Sequence, residues 1–395
     1  RWRGLLRVLS AHGRMRARVQ LEAARVAGAV ERASELTDPD SKEYLQAMPG
    51  DQAGGLPDGV DFRRGMITTE DVLRRIVSHC REHLRADLPT LRRVQRTLIA
   101  MLDSAQASSD ASALPAMQLH FVRTGATRLV IQMLDARVSD EITSTSWTLL
   151  AELLTSNDPA QLVNRVVQQA LLDVCTGGDD SGMWDSFGEI LRNVSSKVKT
   201  AHKLKLLASL TEEEREVVEE YATGLAYAVK AMHAVHFMVE GHFFLMQEYL
   251  YSQVGNRRSC NVPEVAAQLM ISLGKDPSSA DLADQGELEC MQQTCKLLTE
   301  LAQGPNLRNQ EFLSSFGLVE TVFKLLAAGF ERYSRGEGEV YPPYVRRLKA
   351  QFVEALLALL EGRLDSTIHA TMLQRVDAHV LRLRLQFVYL HFVLG

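Results

Sequence analysis

The side chains that could do chemistry fall mostly in one stretch. His233 and His236 share a helical face, the spacing of a metal-binding pair. No third ligand at suitable spacing accompanies them, so packing or solvent contact is the favoured reading. Glu240 stands among Phe237, Met238, Val239, Phe243, Phe244 and Leu245. A carboxylate in such company is costly unless it is paired or bound to a metal; a salt bridge or a solvated helix face would also account for it. Cys290 and Cys295 are five apart with no second pair and no His cluster, which argues against zinc. Gly336-Glu337-Gly338 reads as the loop of a surface insertion. The chain has no P-loop, no Rossmann glycine triplet, no G-x-S-x-G and no H-E-x-x-H. Nothing resembles a nucleophile–base pair, and the chain is read as a non-enzyme.

The elements that must position these residues are helices. Of 395 residues, 46% are hydrophobic and 24% charged, the balance of an ordinary globular protein. With only 11 prolines and plentiful Leu, Ala, Glu, Arg and Gln, helix is favoured over strand. The net charge of -5 is spread along the chain, so nucleic acid is a poor partner. Five scattered cysteines suit free thiols in a reducing compartment. A chain that opens on Arg1 with no initiator Met and no signal peptide reads as a fragment or as the product of an incompletely assembled gene.

Four segments follow. Residues 1–36 read as an Arg-rich amphipathic helix. Residues 37–69, rich in Asp, Gly and Pro, read as a flexible linker. Residues 70–210 read as a first armadillo-like helical segment and 211–395 as a second. Thr69 is a candidate cap for the helix opening on Glu70 and Asp71. Met117–Leu154 reads as a helix pair punctuated at Gly125 and Ser139-Asp140. A third helix, Ala160–Val174, completes a unit that stacks into a solenoid. Thr211–Glu214 is a capping box. Helices are expected over about 215–254, 261–273, 285–302, 307–328, 342–362 and 366–393. Gly224–Leu250 is the most apolar long run, but Lys230, His233, His236, Glu240 and His242 make it a helix buried in protein rather than a lipid-facing span. The fold class is therefore all-α, an armadillo-like helical solenoid.

Two segments carry a family resemblance. Glu240–Gln253 reads EGHFFLMQEYLYSQ, and Leu297–Gln310 reads LLTELAQGPNLRNQ. Both resemble the helical region ahead of the transmembrane part of inositol trisphosphate and ryanodine receptors. The second resembles that family's L-T-E-x-x-Q-G-P-x-x-x-N-Q signature at Leu298, Thr299, Glu300, Gln303, Gly304, Pro305, Asn309 and Gln310. The first resembles its E-x-H followed by L/F-Q-x-F/Y-L-x-x-Q, at Glu240, His242, Met246, Gln247, Tyr249, Leu250 and Gln253. Gly125–Ile131 and Leu356–Ser366 extend the likeness in collinear order over roughly residues 90–380.

The resemblance implies a regulatory cytosolic segment of an intracellular ligand-gated calcium-release channel, closer to the inositol trisphosphate receptor than to the ryanodine branch. It implies a calcium site with Glu240 and Glu300 as carboxylate ligands and with Gln303 and His242 beside them. Calcium takes several hard oxygen ligands in irregular geometry, and Gln303 lies one helical turn from Glu300 on the same face. His242 is too soft for calcium and suits an outer role. The family completes this site from a domain beyond the pore, so calcium binding by this segment alone should be weak. The implied partners are the channel domain and neighbouring helical domains of the same receptor, a homotetramer when full length, at the cytoplasmic face of the endoplasmic reticulum. Membrane contact would come only through the transmembrane part that this segment lacks. The competing reading is a soluble armadillo-type interaction scaffold without channel activity.

Overall fold

Capping chemistry sets where the helices begin. The computed structural model describes residues 68–84, 88–155, 162–177, 182–275, 283–328, 343–364 and 366–376, with 378, 379 and 382. The Arg-rich segment 1–36, the linker up to residue 67, the Gly336–Gly338 loop and nearly all of Leu381–Gly395 lie outside the described residues. The chain divides into two compact units, residues 1–129 and 130–395.

In the first unit, α1 (Thr69–His83) starts at an N-cap formed by Thr68, one residue before the candidate Thr69. Thr68 and Asp71 form a reciprocal capping box. Next come α2 (Leu88–Gln106) and α3 (Ala113–Thr124), which ends at Gly125 in the left-handed conformation. α3 packs on both α1 and α2, and its His120 Nδ1 lies 2.9 Å from Glu70 Oε1 of α1.

From α4 (Ala126–Ala136) onward the helices are α5 (Asp140–Leu154), α6 (Leu162–Thr176), α7 (Met183–Lys205), α8 (Glu212–Val239), α9 (Phe244–Tyr251), α10 (Val262–Gly274), α11 (Gln285–Ala302), α12 (Leu307–Ser315), α13 (Leu318–Ala327), α14 (Pro343–Ala358) and α15 (Ser366–Arg375). In the second unit α5, α8, α11 and α14 stack in that order, and α7, α10 and α13 form a row against them. No strand occurs among the described residues. The fold is an all-α helical solenoid, as the composition and helical periodicity predict. No described helix is long and apolar enough to cross a membrane.

An aromatic chain holds the two rows together. Trp147 meets Phe187 edge-on at 6.1 Å, Phe187 meets Trp184 at 6.4 Å, and Trp184 meets Tyr249 at 6.0 Å. Trp147, Trp184 and Phe187 are fully buried. Such edge-to-face pairs add to what area burial alone contributes.

The helix expectations differ from the structure in informative places. The stretch read as one helix over about 215–254 is two, α8 and α9, broken at Glu240–Phe243 by Gly241 and His242 at positive φ. The stretch 307–328 is likewise two helices, broken where Gly317 takes φ 97°. Met117–Leu154 holds parts of three helices rather than a pair. The segment boundary placed at 210/211 falls inside the second unit, where α7 and α8 on either side of it pack together.

The capping box at Thr211 forms as expected. The Glu214 N–H donates to Thr211 Oγ1 at 3.3 Å, and the Thr211 N–H donates to Glu214 Oε2 at 2.8 Å. Thr211→Ala is expected to cost about 1 kcal/mol, the usual value of such a cap. In a unit of this size, thermal unfolding should show it as a midpoint lowered by about 2–4 °C.

Candidate functional site

Each candidate residue sits at a helix end, so what ends the helix decides where it points. α8 stops at Val239. Glu240 leaves the helix at φ -53°, ψ 141°, then Gly241 and His242 turn the chain at φ 73° and 61°. Two residues of α6 hold this turn. Gln168 Nε2 donates to the carbonyls of Phe237 and Glu240 at 2.8 and 2.9 Å. Arg165 Nη2 donates to the Gly241 carbonyl at 2.7 Å, and its guanidinium lies 4.6 Å from the Phe243 ring centroid.

α11 stops at Ala302. Gln303 is extended, Gly304 follows at φ 96°, and Pro305 prevents the helix from resuming. Gln247 of α9, 1% exposed, donates through Nε2 to the carbonyls of Glu300 and Gln303 at 2.6 and 3.0 Å.

The two ends meet. The Glu300 carboxylate faces the backbone N–H groups of Gly241 and His242. Its Oε2 is buried and has no hydrogen-bond partner. Burial pushes the Glu300 carboxyl above the usual carboxylate range; the charge of Glu240 adds to this, while His242 and the two N–H groups oppose it. Burial also raises the Glu240 carboxyl. Glu240 and Gln303 are half-buried, and the His242 side chain is exposed. The structure thus brings Glu240, His242 and Glu300 to one pair of turns. Gln303 closes the helix that carries Glu300.

This donor set fits part of a hard-cation site. Two carboxyl groups are raised for want of a positive neighbour strong enough to offset burial, and one buried oxygen is unpartnered. Oxygen donors suit calcium or magnesium. Among the described residues, no group of three or more His, Cys, Asp or Glu side chains is disposed to hold a metal ion. A cation held here would therefore draw its remaining oxygens from amides, backbone, water or another domain.

The other candidates resolve into packing. His233 meets Phe237 edge-on at 4.6 Å, and burial lowers its pKa. Burial, with help from His233 and Lys296, pushes His236 down to about 3. Two neutral rings packed on Phe237 near a lysine do not make a metal pair. All five cysteines are free and buried. Burial raises Cys260 to about 11 and Cys80 and Cys290 to about 12, so none is poised as a nucleophile.

Sequence reasoning did not foresee Arg165, Gln168 or the holding role of Gln247. A signal existed: Glu240-Gly241 and Gln303-Gly304 are each followed, six residues after the glycine, by a glutamine, Gln247 and Gln310.

Comparison with known families finds one match. Residues 225–326 match the family model described as RyR and IP3R Homology associated. The match runs from within α8 into α13 and contains both the Glu240–His242 and the Gln303–Pro305 turns. No curated protein matches the chain. Over residues 225 to 326 the chain is therefore similar to the ryanodine receptor and inositol trisphosphate receptor homology-associated family.

Proposed function

We propose that this chain is a regulatory segment of an intracellular calcium-release channel, nearer the inositol trisphosphate receptor, and that it couples calcium sensing to pore gating. One observation carries the reading. The Glu300 carboxylate, with one buried oxygen lacking a partner, is seated in the turn that follows Glu240, inside the stretch that matches the receptor family.

Glu240 and Glu300 would be the carboxylate ligands. The Gln303 side-chain amide stands one helical turn from Glu300 as a further oxygen donor. His242 shapes the field at Glu300 from the turn opposite. A bound calcium ion supplies the positive charge that two buried carboxylates require. Because the carboxylates lie on separate helix ends, their shared charge biases how α8 and α11 stand to each other. That is a coupling between a site and a structural equilibrium, not catalysis. In the complete receptor, the neighbouring helical and channel domains would read this bias, in a homotetramer at the cytoplasmic face of the endoplasmic reticulum.

Calorimetric titration of the chain with calcium chloride tests the reading. A site with two protein carboxylates should half-saturate on the order of 0.1–1 mM. Glu300→Gln and Glu240→Ala should each raise that concentration at least about tenfold, the loss of one charged ligand. A wild type silent at millimolar calcium, or variants that titrate as the wild type does, would remove the calcium site. The armadillo-type scaffold without channel activity would then be the better reading.

A further inference from the structure

Three helix ends in the second unit are built alike. α8 runs into Glu240-Gly241, α11 into Gln303-Gly304 and α14 into Glu361-Gly362, and each glycine lies at positive φ. The last carbonyls of a helix have no partner within the helix and must find one elsewhere. At each of these ends a buried glutamine from another helix supplies it. The Gln168 amide reaches Phe237 and Glu240 at 2.8 and 2.9 Å. The Gln247 amide reaches Glu300 and Gln303 at 2.6 and 3.0 Å. The Gln310 amide reaches Ala358 and Glu361 at 2.9 and 3.0 Å. In every case the two carbonyls are three residues apart at one helix end, and the donor is one NH2 group. A glutamine amide is the uncharged side chain group with two N–H donors suited to this geometry.

The clamps are linked in series. The turn at Gly241 leads into α9, whose Gln247 holds the next turn. The turn at Gly304 leads into α12, whose Gln310 holds the turn after that. Successive turns also touch. A Cβ placed on Gly304 would lie 2.7 Å from His242 Cβ, and one on Gly362 would lie 2.6 Å from Pro305 Cγ. The Gly304 N–H donates to Glu361 Oε2 at 3.2 Å. Gln247 further accepts a bond through Oε1 from Asn306 Nδ2 at 3.4 Å, so one side chain grips both sides of the Gly304 turn.

We infer that Gln247 is a positioning residue that fixes the two carboxylate-bearing turns to each other. It sits on the helix that leaves the Glu240–His242 turn, and its amide holds the helix end that carries Glu300 and Gln303. The spacing of Glu240 and Glu300 is thereby set by the stacking of the solenoid, and any rotation between repeats reaches the site through this amide. The inference rests on the calcium reading for its consequence, though not for its geometry.

Gln247→Met removes the amide at similar volume, and Gln310→Met does the same one repeat further on. Both are compared with the wild type in the full chain, by calcium chloride calorimetry and by hydrogen–deuterium exchange of peptides over 237–243 and 300–306. Gln247→Met should speed exchange in both peptides and raise the calcium half-saturation concentration about tenfold or more, as loss of an orienting partner does. Gln310→Met should lower the unfolding midpoint comparably and leave calcium half-saturation within about twofold of wild type, as a separate site does. The inference fails if Gln247→Met titrates as the wild type, or if Gln310→Met weakens calcium equally. A wild type without any calcium response removes the calcium reading instead. Exchange then decides alone: both peptides loosened in Gln247→Met upholds the coupling, and loosening confined to 300–306 overturns it. Should Gln247→Met not fold, Gln247→Asn, an amide one methylene short, is judged by the same comparisons.

Discussion

Glu287→Ala lowers the unfolding free energy by about 3–5 kcal/mol, the cost of removing one partner from a buried ionic cluster. Glu287 is fully buried in the second unit. Its Oε1 accepts from His202 Nε2 at 3.0 Å, Lys205 Nζ at 2.9 Å and Tyr221 Oη at 2.8 Å. Its Oε2 accepts from the Asp284 N–H at 3.3 Å, while Asp284 caps α11 by accepting from the Glu287 N–H at 3.0 Å. A single carboxylate therefore ties α7, α8 and the start of α11. Removing it leaves the Tyr221 hydroxyl and the His202 ring without their acceptor, and leaves Lys205 only Asp284, at 2.7 Å. Each buried donor so abandoned costs its own desolvation. Glu287→Gln keeps the shape and one acceptor but loses the charge, so its cost should be smaller. Urea unfolding measures both; the midpoint should fall while the slope stays constant. A Glu287→Ala midpoint within error of wild type would show that the cluster does not form.

The same residue gives a pH dependence of known sign. Burial alone would raise the Glu287 carboxyl, but the His202 hydrogen bond, the charges of Lys205 and His202 and the Lys205 hydrogen bond outweigh it and hold it below 4.5. A group depressed in the folded state contributes stability that is present above its unfolded value and is lost as pH falls through the folded one. Stability should therefore drop from about pH 4.5 downward. In Glu287→Gln the portion of that slope due to this residue disappears.

Local signals were legible in the sequence where the physics is local. The capping box at Thr211, the stop at Gly304-Pro305 and the punctuation at Gly125 and Ser139 all act within a few residues, and all are found. The break at Glu240–Phe243 was not legible. The apolar pattern runs through it without a proline, and a non-glycine residue, His242, holds one of its two positive-φ positions. The Glu287 cluster was invisible for another reason: its partners lie 66 to 85 residues away along the chain. No spacing rule connects His202, Tyr221 and Glu287 until α7, α8 and α11 are stacked. The candidate site stood between these cases. Composition and periodicity said only that Glu240 is an acid among apolar neighbours; its association with Glu300 came from the family resemblance. The structure adds the physical link: the Gly304 turn lies against His242, and Gln247, on the helix leaving the Glu240 turn, holds the end of the helix that carries Glu300.

Gly304→Ala is expected to cost about 2–5 kcal/mol, from two contributions that can be separated. Gly304 has φ 96°, a region where a side chain on an L-residue costs roughly 1–2 kcal/mol. The added methyl would also lie 2.7 Å from His242 Cβ and 3.2 Å from its Cγ, closer than carbon atoms pack. Rotating the His242 side chain does not relieve the shorter contact, because Cβ is fixed to the backbone. The turn itself must move, and that turn already holds a non-glycine residue at φ 61°. Overpacking of this kind typically adds about 1–3 kcal/mol. Gly255→Ala serves as the comparison. Gly255 has φ 88° but nothing within 4 Å of its would-be Cβ, so it bears the conformational cost alone, about 1–2 kcal/mol. The difference between the two variants in chemical unfolding isolates the contact between the Gly241 and Gly304 turns. If Gly304→Ala costs no more than Gly255→Ala, the turns do not touch, and the close seating of Glu300 beside Glu240 goes with them.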